Sequence, residues 1–376
     1  MPDRAACEGC LSPKECAPRG LSMRASLGLL GVLLLAGLVG CPRDLAEPGE
    51  TPRPLSLSEV RTWAYQIQGL DAPGAVEALA ASSYDLLVIE PTRTDFSSPQ
   101  SRHFDTAAAV NRLKTSLAGD GLHRKLVVAY IDIGEAENWR WYWDWSEDWP
   151  AGEPRPADWP TWIVTPDPDG WEGNFPVEYW DAAWQDIVIY GQDQPATADR
   201  DFASILDEVL HDGFDGVYLD WVEAYSDDAV AAAADRAGVH PVAEMVSFIA
   251  AIRANGRSRQ PGFLVIQQNA AALTEDDPDI LDVVDAIGQE DTWFGGQADC
   301  PWEQPCGHDV PQDPEESREI QRLLDLYRAA GKPVFTVDYT VEHAAEVYTL
   351  AASRGYVPYC SRTALSRLTT TPPPAP

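Results

Sequence analysis

The chain is short of positive charge: 27 Lys and Arg stand against 60 Asp and Glu, for a net charge of −33. A surface that tracks nucleic-acid phosphates needs a cationic groove to release counterions, so nucleic acid is excluded as a partner. Docking on anionic lipid through a basic patch is disfavoured by the same shortage. No Gly-x-Gly-x-x-Gly or P-loop follows the first apolar run, which leaves a nucleotide without its phosphate cradle. His-x-x-x-His pairs, serine nucleophile elbows and Cys/His dyads are also absent, and no cofactor or bound metal is expected. What the chain does hold is 45% hydrophobic residues, enough for a full core, and 14 Trp, ten of them between Trp139 and Trp184.

The longest apolar run, Leu27 to Val39, has thirteen residues. A membrane-spanning helix takes roughly 20, whereas this length, preceded by Arg24, suits the apolar region of a signal peptide. The run ends Leu38-Val39-Gly40-Cys41, which resembles a bacterial lipobox. Residues 1–40 are therefore expected to be a signal and upstream segment, with Met23 as an alternative start. Cys41 would be the lipidated first residue of an exported, envelope-anchored protein, and 41–58 a tether rich in Pro and Glu. The membrane is thus expected as a partner only through that anchor. Cys7, Cys10 and Cys16 fall in the discarded part and lack the four ligands of a zinc site. Cys300 and Cys306 share one Pro-rich loop and are expected to form a disulfide in an oxidising compartment, with Cys360 free.

Downstream, eight apolar runs alternate with amphipathic stretches. The runs are Trp63–Ile67, Asp85–Glu90, Lys125–Asp132, Phe214–Asp220, Phe263–Asn269, Val283–Glu290, Pro333–Tyr339 and Gly355–Ser361. Several are continuously apolar, as parallel strands covered on both faces require. Between them, Ala107–Leu117 aligns Val110, Leu113 and Leu117 on one face. Ile320–Tyr327 aligns Ile320, Leu323, Leu324 and Tyr327 before a plausible cap at Gly331; Phe202–Leu210 and Val242–Ile252 also read as helices. The pattern predicts an α/β fold, a (β/α)8 TIM barrel over 59–363 with a long Trp-rich insertion after strand 3 and a Pro/Thr-rich tail over 364–376. An open doubly wound sheet is the second choice.

Acids recur where the strands end. Glu90 closes the second run, Asp132 the third with Glu135 just beyond, Asp220 the fourth, Glu290 the sixth and Asp338 the seventh. Taken singly, such an acid could be a solvated strand end or a helix cap. In a barrel, five of them converge on one face, where carboxylates without metal-type histidines fit glycoside hydrolysis. One carboxylic acid protonates the leaving oxygen while a second carboxylate acts as nucleophile or base. A hard cation such as Mg²⁺ or Ca²⁺ is the competing use of the same acids. Indoles can stack on the C–H faces of sugar rings, but ten Trp cannot all do so. Most are expected to pack the insertion, with two or three lining the cleft.

Gly213-Phe214-Asp215-Gly216-Val217-Tyr218-Leu219-Asp220-Trp221 resembles the fourth-strand signature of glycoside hydrolase family 114, the endo-α-1,4-polygalactosaminidases and relatives. Ala129 to Glu137, followed by Arg140 and Trp143, is similar to the third-strand motif. Gln268-Asn269 and Gly288-Gln289-Glu290 match the fifth and sixth strand ends. The resemblance spans roughly residues 60–361 and implies a catalytic pair, with Asp220 as nucleophile and Glu290 as acid/base. It implies substrate-binding or tuning roles for Asp132, Glu135, Asn269 and Asp338. Glu90 departs from the family's Asp, and together with Trp221 and Trp293 it is expected to contact substrate. The function expected is hydrolysis of an α-linked galactosamine-type polysaccharide. A non-catalytic glycan-binding lipoprotein on the same barrel is the alternative, and a metal-dependent hydrolase the third reading.

Overall fold

The computed structural model describes residues 52–92, 103–146, 149, 153–168, 170–192, 202–296, 302 and 309–374. The expectations for Cys41 and for the Cys300–Cys306 disulfide lie outside these residues. In chain order the strands are β1 (Trp63–Gln66), β2 (Leu86–Ile89), β3 (Leu126–Asp132), β4 (Glu135–Glu137), β5 (Asn174–Pro176) and β6 (Gly216–Asp220). They continue with β7 (Leu264–Gln268), β8 (Ala286–Glu290), β9 (Phe294–Gly295), β10 (Val310–Pro311), β11 (Val334–Asp338) and β12 (Val357–Cys360).

Eight of these form one sheet in the order β1-β2-β3-β6-β7-β8-β11-β12, and every neighbouring pair is parallel. β12 returns beside β1, so the sheet is a nearly closed (β/α)8 barrel. A doubly wound sheet would reverse its strand order partway, and this one does not. All residues of β2 and β3 are buried, which explains their unbroken apolar sequence. Inside the barrel an aromatic stack replaces much of the usual branched filling. The Trp63 ring lies 6.1 Å from Tyr65 and 5.6 Å from Phe335, and Tyr65 lies 5.3 Å from Tyr218.

The outer helices follow their local signals. In the helix Pro314–Ala329, Pro314 occupies the first turn and the Asp313 carboxylate accepts the Glu315 and Glu316 N–H groups. Leu323, Leu324 and Tyr327 are buried. The chain then turns at Gly331, whose φ of 78° is the left-handed cap conformation that glycine adopts without steric cost. One helical expectation is corrected. The helix Thr106–Lys114 ends before Leu117, because the chain turns to bridge Leu117 with Arg124; Leu117 is exposed.

Between β3 and β6 the aromatic-rich segment builds its own small core. The Trp143 ring lies 4.9 Å from both Trp145 and Trp159, Trp159 lies 4.7 Å from Phe175, and Trp162 lies 5.2 Å from Trp184. The Trp184 indole N–H donates to the Ile133 carbonyl at 3.0 Å, tying this core to the end of β3. Beyond β12 the chain packs back on the barrel. Leu365 is buried, its carbonyl accepts the Ile67 and Gln68 N–H groups, and the Thr369 N–H donates to the Tyr359 hydroxyl. Cys360 is buried and free.

Candidate active site

At the carboxyl ends of the strands lies a cavity of about 690 Å³. Of the residues expected in the site, Asp220, Glu290, Glu135, Asn269 and Trp221 line it. The aromatic segment supplies one wall, including Trp139 and Trp171. Asp220 ends β6 and Glu290 ends β8, with β7 between them.

The Asp220 carboxylate accepts hydrogen bonds from the Tyr130 hydroxyl and, at 2.8 Å, from the Trp221 N–H. The Glu290 carboxylate accepts from the Tyr339 hydroxyl, the Gln268 amide at 2.7 Å and the Asn269 amide at 2.9 Å. Asn269 also takes the Glu290 N–H on its own amide oxygen at 2.9 Å, so β7 fixes both the backbone and the side chain of Glu290. The Tyr65 hydroxyl holds Gln268 from inside the barrel at 3.2 Å. Among the described residues no Lys or Arg pairs with Asp220 or Glu290.

Three adjacent strands leave the barrel through a left-handed residue: Trp221 after Asp220 (φ 53°), Asn269 after Gln268 (φ 52°) and Asp291 after Glu290 (φ 50°). For non-glycine residues this costs roughly 1–3 kcal/mol each, and such strain collects at functional sites. Gly134 closes the same rim. A Cβ there would overlap the Trp221 carbonyl oxygen and ring, so only glycine lets the chain leaving β3 pass Trp221.

Crowded carboxylates in a poorly solvated site resist ionisation. Burial, then the charge of Glu290, pushes the Asp220 carboxyl up to about 7, against the opposing pull of Tyr130 and Trp221. Burial and Asp220 push Glu223 up to about 8. Burial and Asp167 push Glu135 up to about 9, although the Asn174 amide bonds it at 3.0 Å. A site in which one carboxyl holds a proton near neutrality beside another that can be ionised has the two forms that acid–base cleavage of an acetal requires.

The other expected contacts lie elsewhere. Glu90 is fully buried and faces Arg140 at 2.6 Å rather than the cavity, because that guanidinium also bonds Glu137 at 2.6 Å and needs both carboxylates. Asp132 turns back to accept the Gly134 and Glu135 N–H groups at 3.0 and 2.9 Å, shaping the exit from β3. Asp338 accepts the Trp293 and Phe294 N–H groups at 2.6 and 2.8 Å. It serves as a cap for the loop after β8. Trp293 is buried with its ring 6.3 Å from Tyr356 and does not line the cavity.

Sequence reading did not single out Tyr65, Tyr130, Tyr339 or Glu223. Tyr130 shares a face of β3 with Asp132 by the two-residue period, which was the available signal. Glu223 is three residues beyond Asp220, in a turn whose direction the sequence does not specify. Among the described residues no group of three or more His, Cys, Asp or Glu is placed to hold a metal ion.

Paired acids under an indole-bearing wall, at the carboxyl end of a parallel barrel, define the class of barrel glycosidases. The chain belongs to glycoside-hydrolase family GH114, whose model matches residues 46–372, and it is a glycosidase. An uncharacterized protein of Deinococcus radiodurans is 31% identical over 90% of this chain and 97% of its own length. The uncharacterized protein MJ1477 of Methanocaldococcus jannaschii is 29% identical over 80% of this chain and 75% of its own. Among solved structures, the glycoside hydrolase domain of PelA from Pseudomonas aeruginosa superposes with a TM-score of 0.51 at 16% identity, covering 83% of this chain and 98% of that one. Aspergillus fumigatus Ega3, in complex with galactosamine, gives 0.51 at 16% identity, covering 87% and 98%. These two likenesses concern the fold.

Proposed function

We propose that the protein is an endo-acting glycosidase for an α-linked galactosamine-type polysaccharide, with Asp220 as nucleophile and Glu290 as acid/base. The observation that carries this reading is that the two carboxyls, on strands one apart, line a single cavity and, among the described residues, neither is paired with a Lys or Arg. A proton from the acid passes to the glycosidic oxygen as its bond to the anomeric carbon breaks. The ionised partner forms a bond to that carbon, and water, deprotonated by the former acid, releases the sugar. Tyr339, Gln268 and Asn269 orient Glu290, while Tyr130 orients Asp220. The net negative charge and the acidic lining favour a polymer with free ammonium groups over a uronic acid.

One observation favours the reversed roles: burial, then the charge of Glu290, raises the Asp220 carboxyl to about 7, where a general acid works. A galactosaminide with an activated leaving group, which needs no protonation, separates the two. With the proposed roles, Glu290→Gln cleaves the activated substrate and Asp220→Asn does not; the opposite result reverses the roles. We also propose export and lipid anchoring through Cys41. Incorporation of labelled fatty acid that is lost in Cys41→Ser supports the anchor, and equal labelling of both removes it.

A further inference from the structure

A second cavity of about 330 Å³ adjoins the first. The two share Asn138, Trp171, Glu172, Gly173 and Asn174 in their walls. Beyond that shared wall the second cavity is lined by Trp149, Phe175 and Asp167, all supplied by the segment between β3 and β6. Trp171 stands at the junction and is 58% exposed, whereas the other nine indoles of the segment are buried or partly buried. Its backbone is pinned, since the Trp171 N–H donates to Asp167 at 2.5 Å and its carbonyl accepts the Asn174 N–H at 3.2 Å. The second Asp167 oxygen, Oδ1, is buried and has no partner among the described residues. Asp167 also acts on Glu135 in the first cavity, helping to raise its carboxyl. An exposed indole on a pinned backbone at the passage between two cavities, with an unmet carboxylate oxygen behind it, has the makings of a sugar platform. The aromatic face covers ring C–H groups and the oxygen takes a polar hydrogen of the same sugar.

We propose that this second cavity is a further sugar subsite, in which a pyranose unit of the polysaccharide stacks on Trp171 and bonds Asp167, beyond the units held in the first cavity about the bond cleaved between Asp220 and Glu290. The proposal rests on the glycosidase reading above. It makes the aromatic segment a device for gripping long chains.

The test compares the unaltered full-length protein, Trp171→Ala and Asp167→Asn on a graded series of α-1,4-linked galactosamine oligomers. The same chains are run by affinity electrophoresis through gels containing the polymer. In the unaltered protein kcat/KM rises with oligomer length. In Trp171→Ala the ratio of long-oligomer to short-oligomer kcat/KM falls roughly tenfold, and in Asp167→Asn by a few-fold. An unchanged ratio in both variants overturns the subsite and leaves the glycosidase standing. If the unaltered protein cleaves no oligomer, the substrate reading fails. The gel then decides the subsite: weaker retardation of Trp171→Ala supports it, and equal retardation overturns it as well.

Discussion

The two ends of the barrel treat carboxylates in opposite ways. At the amino ends of the strands, Asp215 is held by Arg124 at 2.7 Å and Lys114 at 2.9 Å. There too, Asp285 is held by Arg257 at 2.8 Å, and Asp85 accepts the Arg61, Thr62 and Gly119 N–H groups. At the carboxyl ends, Asp220, Glu223 and Glu290 face one cavity with hydroxyl, amide and backbone N–H donors and no paired cation among the described residues. The first arrangement fixes charge to hold strands together, and the second withholds compensation so that a proton can be kept and moved. On the function proposed above, the first end serves stability and the second reactivity.

Exchanging single atoms at the two ends should therefore have crossed effects. Glu290→Gln is expected to lower kcat by roughly a thousandfold or more, with a melting temperature close to that of the parent. Asp215→Asn is expected to keep the kcat of the folded molecules but to cost about 3 kcal/mol by leaving Arg124 and Lys114 without their partner. Activity assays paired with chemical denaturation check both, and loss of activity without loss of stability in Asp215→Asn would erase the contrast.

Glu90 sharpens the comparison, because it sits at the reactive end but is paired like an acid at the other. Arg140→Met strands Glu90 and Glu137 in a buried site and should destabilise the protein by about 3–5 kcal/mol, read by urea melts. Acid pH should relieve this loss, since protonated carboxyls no longer need the guanidinium.

The pH response carries a definite sign. Burial holds the Asp220 carboxyl at about 7 in the folded state, above the value near 4 of an unfolded aspartate. Between those values the native state keeps a proton that the unfolded state has lost, so this group's contribution to stability is present at acid pH and disappears as pH rises through about 7. Thermal melts across this window should decline less steeply for Asp220→Asn than for the parent. Asp338→Asn should have the smallest effect, about 1 kcal/mol, because an amide oxygen can still accept the Trp293 and Phe294 N–H groups.

Much of this was legible in the sequence, for physical reasons. Continuous apolar runs such as Leu86-Leu87-Val88-Ile89 suit parallel strands covered on both sides, and each of the eight runs contains its barrel strand. The acid at a strand end was also legible, but its direction was not. Asp132 and Asp338 turn toward backbone N–H groups of neighbouring loops, and Glu90 toward an arginine fifty residues away. Those partners come from tertiary packing that no local pattern encodes. The same holds for Tyr130 and Tyr339, whose hydroxyls reach a carboxylate on another strand. Composition distinguished the aromatic segment, yet which indole stays exposed depends on how that small core closes.

The most direct measurement is product mass spectrometry of an α-1,4-linked galactosamine polymer incubated with the full chain, with Asp220→Asn and with Glu290→Gln, each first shown to melt like the parent. Short oligomers from the parent and an intact polymer from both variants is the predicted result. Undiminished release of oligomers by either variant would contradict the assignment of catalysis to this pair.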